Sequence, residues 1–224
     1  NKKMNTNLSF SNSVKSMFLL LFIAISTMLT FSSCSKDDDN FNSLTTEKYV
    51  KYDNAMHKLW ADHMQWTYAT VDAYFNNPNA LNAQLTRLLK NQEDIGAAIV
   101  PYYGQAAGDQ LAVLLKGHIN GAVPVLEAAK NNDQAALGVA VTNWRANAKE
   151  IADFLSGANP QYWEQSHMRE HMDSHITQTI AYSVDLLQQN YSQAVIDYDV
   201  AFNHMMHQAT YLAEGIAKQY PNKF

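Results

Sequence analysis

From Tyr49 onward, larger side chains recur at Tyr49, Tyr52, Met56, Leu59, His63, Trp66, Thr70 and Tyr74, steps of three and four that draw one stripe along a helix from Thr45 to Phe75. A histidine stands in the middle of that stripe. The pattern stops at Asn76-Asn77-Pro78-Asn79, because proline lacks an amide hydrogen and pushes its predecessor out of helical geometry. A second helix is expected from about Ala80 to Lys90. Asn91 then caps a short continuation with Glu93 and Asp94 in its first turn, the end of the helix dipole that favours negative charge, and Pro101-Tyr102-Tyr103-Gly104 closes it.

The third helix, from about Ala106 to Lys130, carries Leu111, Leu114, Leu115, His118, Ala122, Val125 and Ala129 on one side; Gly117, Gly121 and Pro124 predict a bend within a turn of His118. Asn132 or Asp133 caps a fourth helix, which passes Trp144, Ile151, Phe154 and Leu155 and ends at Gly157. Asn159-Pro160 reads as N-cap and first position of a fifth helix reaching about Gln189. Ser192 caps a sixth, stopped by Pro221, with Val195, Phe202, Met205, Ala209, Leu212 and Ile216 on its buried side. No stretch alternates with period two between hairpin turns, so no strand is expected. About six helices, four of them long, joined by short loops pack mainly antiparallel. The expected fold is all-α, an up-and-down helical bundle forming one domain over residues 45–224.

The chain before this domain has a different character. Lys2, Lys3 and Lys15 precede the apolar run from Met17 to Ile25, which continues with small interruptions to Phe31 and suits a secretory signal, with Met4 read as the start. Ser32 and Ser33 then precede Cys34, the only cysteine, in an arrangement that resembles the lipobox of bacterial lipoproteins, where the cysteine is lipidated and becomes the new N-terminus. Residues 1–33 are thus expected to be a signal peptide and residues 34–44 a tether. The run Ser35-Lys36-Asp37-Asp38-Asp39-Asn40 resembles the acidic signal that sends some Gram-negative lipoproteins to the outer face of the outer membrane.

This reading changes the charge. The leader holds three of the sixteen Lys and Arg residues and none of the twenty-one Asp and Glu, so the remainder carries −8 and nucleic acid is excluded as an expected partner. With Cys34 acylated, no disulfide or thiolate metal site is left, and any metal ligand must be His, Asp, Glu or a carbonyl.

Several segments together carry a family resemblance: the spacing of Trp60 to Thr67 (WADHMQWT), then LLKNQEDIG, PYYG, the His118 region, NWRANAKEIADFL, HITQT, Tyr198-Asp199 and the closing GIAKQYPNKF. Across nearly the whole of residues 34–224 this resembles a family of small bacterial all-helical proteins of unsettled biochemical role. The resemblance implies His63, Asp94, His118, His175 and His207 as motif positions, with an acidic residue at Asp62. Kinase and transferase names carried by some members find no counterpart, since no Gly-rich phosphate loop with its lysine occurs here.

Eight histidines supply the candidate chemistry. His63, His118 and His175 each fall on the apolar stripe of a different helix, where aliphatic residues are the rule. One account makes each a neutral, hydrogen-bonded core residue. The other joins them in one metal site inside the bundle, completed by His207 or Asp94, with Asp62 and Asp199 orienting the ligands from outside. Imidazole with a carboxylate suits zinc, iron, copper or nickel rather than calcium or magnesium. Neither paired Glu-x-x-His motifs nor His-Glu-x-x-His occurs, which disfavours a ferritin-like oxidase and a zinc protease. His167, His171 and His175 share a face, but the outer two lie about 12 Å apart along the axis and cannot share an ion; the pairs His167-His171 and His204-His207 are expected in solvent. Trp60, Trp66, Trp144, Trp163 and most tyrosines read as core, with Tyr102-Tyr103 displayed by a loop.

The functional expectation is a lipid-anchored surface protein that binds a transition metal or a small ligand in its interior without evident turnover. The alternative is an interaction or structural module whose histidines are only packed core and whose exposed helix face docks a protein partner. The anchor is checked by palmitate labelling of growing cells: Cys34→Ala should abolish incorporation and leave an unprocessed precursor, and undiminished labelling of that variant would contradict it.

Overall fold

The computed structural model of the protein describes residues 43–224; Cys34, the segment read as a signal peptide and the acidic run lie outside them. Among the described residues the fold is all-α, an up-and-down bundle of six α-helices: α1 Glu47–Asn76, α2 Pro78–Tyr103, α3 Gln105–Lys130, α4 Gln134–Ala158, α5 Gln165–Leu187 and α6 Tyr191–Gln219. Short 3-10 turns at Ser43–Thr45 and Pro221–Lys223 flank them. Each helix packs on the next, α6 returns to α1, and α5 also crosses behind α1. No described helix is long and apolar enough to cross a membrane.

Local chemistry explains most boundaries. Thr46 caps α1 by accepting the Tyr49 amide at 3.0 Å, and Asp133 does the same for Ala136 ahead of α4. Pro78 opens α2, where its missing N–H would in any case lack a partner. The turn from α2 to α3 is Gly104 alone, at φ +85°, a conformation that suits a residue without a side chain. Gly96 and Gly108 let the two helices approach so closely that a Cβ on either would collide with the backbone oxygen of the other.

Three helix starts differ from the sequence reading. Asn91 does not break α2. It lies fully buried in the middle, its side-chain amide donating to the Leu59 carbonyl of α1 at 2.9 Å, so tertiary pairing replaces capping. Asn159-Pro160 does not begin α5, which starts at Gln165. The Asn159 carbonyl instead accepts the Trp163 amide at 2.8 Å and its side chain donates to the Gly215 carbonyl at 2.9 Å, folding residues 159–164 into a turn over α6. Asn190 rather than Ser192 precedes α6, and Val195, read as buried, is exposed alongside Ile196 and Val200. Proline does not interrupt α3, which continues through the exposed Pro124.

The C-terminus seals one end. Tyr102 and Tyr103 are not displayed by a loop but form the last turn of α2, where Tyr102 stacks on Phe224 at 5.4 Å and meets Tyr52 edge-on at 5.2 Å. Ser43 donates to the Ala217 carbonyl at the same end. The indole of Trp163 occupies space above Gly215 that any side chain there would fill.

Candidate functional site

The structure brings His63 of α1, His118 of α3 and His175 of α5 together. The His175 ring lies 5.7 Å from His63 and 5.8 Å from His118, centroid to centroid, and all three are buried. The helices between them supply the groups that orient two of the rings. Asn147 of α4 donates through Nδ2 to the Leu114 carbonyl at 3.2 Å, which turns its Oδ1 toward His118 Nδ1 at 3.1 Å. Since an amide oxygen only accepts, Nδ1 of His118 carries the proton and Nε2 is a lone pair. Trp144, one turn earlier on α4, stacks on the His118 ring at 5.2 Å and donates to the His118 carbonyl at 2.9 Å. On the other side, Gln92 of α2 places its Nε2 3.3 Å from His63 Nδ1 while donating to the Leu88 carbonyl at 2.8 Å.

Burial sets the charge of this layer. The His63 ring is held down to about 3, first by loss of water and then by His118, with Gln92 opposing the shift. His118 is lowered to about 4 by burial, against the Asn147 hydrogen bond, and His175 falls well below 6.5 through burial and the two neighbouring imidazoles. All three are neutral at pH 7, which leaves lone pairs available.

A cavity of about 200 Å³ runs from this layer toward the end of the bundle where α1, α3 and α5 finish. Leu81, Leu85, Leu88, Ile119, Leu126 and Ile180 are among its walls, the three histidines lie at one end, and among the described residues no Asp, Glu, Lys or Arg lines it. Among the described residues, Nε2 of His118, Nδ1 of His175 and the hydroxyl of Thr70 are buried polar atoms without a hydrogen-bond partner; they belong to residues of the cavity wall, but the surface of the cavity itself is almost wholly apolar.

Other residues expected at the site lie elsewhere. Asp94 is on the outer side of α2, paired with Lys90 at 2.9 Å and Arg87 at 3.9 Å. Asp62 is the surface partner of Lys58 and Arg87, and Asp199 is exposed. His207 is exposed too: it follows the buried Met205 by two residues, about 200° around the helix at 3.6 residues per turn, and borders a surface groove with His57 and Tyr211. Among the described residues carboxylates therefore orient none of the three imidazoles; neutral side-chain amides orient His63 and His118. Among the described residues, no three His, Cys, Asp or Glu side chains are arranged to hold a metal ion. His167, His171 and His204 form a separate, partly exposed row, with rings 4.4 and 4.7 Å apart.

Gln92, Asn147, Thr70 and Thr179 are the parts that the sequence reading missed as site residues. Their signal is a polar residue breaking an apolar stripe: Gln92 between Leu88 and Ile95, and Asn147 between Trp144 and Ile151.

The neutral layer has a consequence for stability. Histidine in the unfolded chain titrates near 6.5. In the fold these rings are lowered, as is His171, held down to about 4 by partial burial and by His204, His167 and His207. The unfolded state therefore binds more protons below pH 6.5, and stability present above that value is lost as pH falls toward 4. Unfolding at pH 5 should take up about four protons, read from the pH dependence of urea unfolding, and His118→Gln should reduce the uptake by about one. Uptake near zero at pH 5 would contradict the neutral layer. Compared with protein-family models, with curated proteins and with solved structures, the chain gives no match.

Proposed function

We propose that this chain is a lipid-anchored bacterial surface protein whose bundle binds one small molecule in its interior, beside His63, His118 and His175. The observation that carries the reading is that His63, His118 and His175, all buried, meet in one layer beside a cavity that has no charged residue among its described lining. Packing alone gives no reason to leave a void beside three imidazoles, whereas a ligand lying in it would fill the space. Its apolar body would then lie among the leucines and isoleucines of the walls, where burial contributes about 25 cal/mol per Å². The anchor rests on Cys34 and the apolar run before it.

A transition metal is the second reading, favoured by three neutral imidazoles that meet in one layer. Their chemistry fits zinc, copper or iron, which prefer nitrogen donors. With no carboxylate among the described lining residues, a dication would take water or an anion as its further ligand. The rings would also have to turn to share one centre. What a metal would supply is a Lewis-acid point at the closed end of the cavity; His63, His118 and His175 would hold it, and Asn147 and Gln92 would orient two of the rings.

Protein extracted from its native membrane without a polyhistidine tag discriminates these readings. Denaturation should release about one organic molecule per chain, identified by mass spectrometry, with transition metal well below stoichiometry by elemental analysis. Stoichiometric metal without an organic molecule would replace the first reading with the second, and neither would leave an interaction module with the histidines as packed core.

A further inference from the structure

Resting on the cavity-ligand reading, we infer that the cavity takes hydrocarbon alone, a ring with a short alkyl chain or the end of an acyl chain, and admits no polar or charged group. The surface of the cavity is almost wholly apolar. His118, His175 and Thr70 stand in its wall, but their unpaired atoms are themselves covered and add nothing polar to that surface. A water molecule held in a protein interior needs about two to four polar partners. With almost none on offer, water does not settle here, and an apolar molecule enters without displacing hydrogen-bonded solvent.

The same surface rejects polar molecules. A hydroxyl or an amide carried inside would give up its hydrogen bonds to water and find none in return, and an ionised group would be desolvated with no counter-charge among the described lining residues. Size follows from volume. An engineered cavity of about 150 Å³ takes up benzene, and this one, at about 200 Å³, has room for roughly ten heavy atoms. Entry has a place in the wall: Val123 of α3 and Val184 of α5 line the cavity and are also exposed, so each presents one side to the space and another to solvent. A lipid chain passing between them would leave its headgroup outside, whereas a free hydrocarbon would be enclosed whole; the chemistry inside is the same.

The probes are toluene and phenol, matched in size, with n-butylbenzene, pyrene and decanoate. They are titrated calorimetrically against the full chain in lipid nanodiscs, with empty nanodiscs as the blank for partition. Toluene and n-butylbenzene should bind, phenol should bind about tenfold or more weakly than toluene, and pyrene, too large for the space, should not bind. Ala122→Leu and Ala129→Leu each add carbons to the wall and should abolish toluene binding, circular dichroism checking that both variants are folded. Decanoate that displaces toluene would support the inference with a lipid chain end as the occupant, and decanoate without effect would support it with a free hydrocarbon. Phenol binding as tightly as toluene would overturn the apolar assignment and leave the cavity reading standing. Undiminished toluene binding in both folded variants would put the probe outside this cavity and overturn the inference, and failure of toluene and n-butylbenzene to bind would overturn the cavity reading itself.

Discussion

Moving an imidazole out of water is tolerable only in its neutral form, and a neutral ring still has one nitrogen that donates and one that accepts. This protein buries three such rings in one layer and settles two of them with amides rather than carboxylates. The division of labour follows the order of the chain. Odd-numbered helices α1, α3 and α5 carry the histidines, and the even-numbered helices α2 and α4 between them carry Gln92 and Asn147. The sixth helix contributes closure: Ala194, Ala201, Ala209, Ala213 and Ala217 are fully buried, small side chains that let it sit close against its neighbours.

The layer also separates two kinds of interior. Toward the end that holds Ser43 and Phe224, aromatic rings fill the space, with Phe224 packed on Tyr52 and Tyr102 and Ser43 bonded to the Ala217 carbonyl. Toward the other end, leucine, isoleucine and valine side chains, with Tyr74 and Phe75 among them, leave a cavity rather than close it. An apolar void of this size costs stability through lost packing contacts. A bundle that tolerates it beside three buried imidazoles is organised around that space.

The helices were legible because apolar residues spaced three and four apart persist through each of them, and because Thr46, Asp133, Pro78 and Gly104 behave locally as their chemistry dictates. Convergence of His63, His118 and His175 followed from the same periodicity, since a polar residue on an apolar stripe must face the interior. Side chains whose role depends on a distant partner were not legible. Asn91 and Asn159 look like caps, yet each donates across to another helix. Asp62 and Asp94 lie close in sequence to site positions and turn outward into ion pairs, while His207 misses the buried face of α6 by half a turn. Asn147 and Gln92 sit in helix interiors as unremarkable amides until the neighbouring ring is in place.

The account turns on the protonation of one ring, which long-range correlation of imidazole protons and nitrogens reads directly. At pH 6, the spectrum of nitrogen-15-labelled protein should show His63, His118 and His175 all neutral, with His118 protonated on Nδ1 and its Nε2 appearing as a bare nitrogen. An imidazolium signal from any of the three, or a proton on Nε2 of His118, would contradict it.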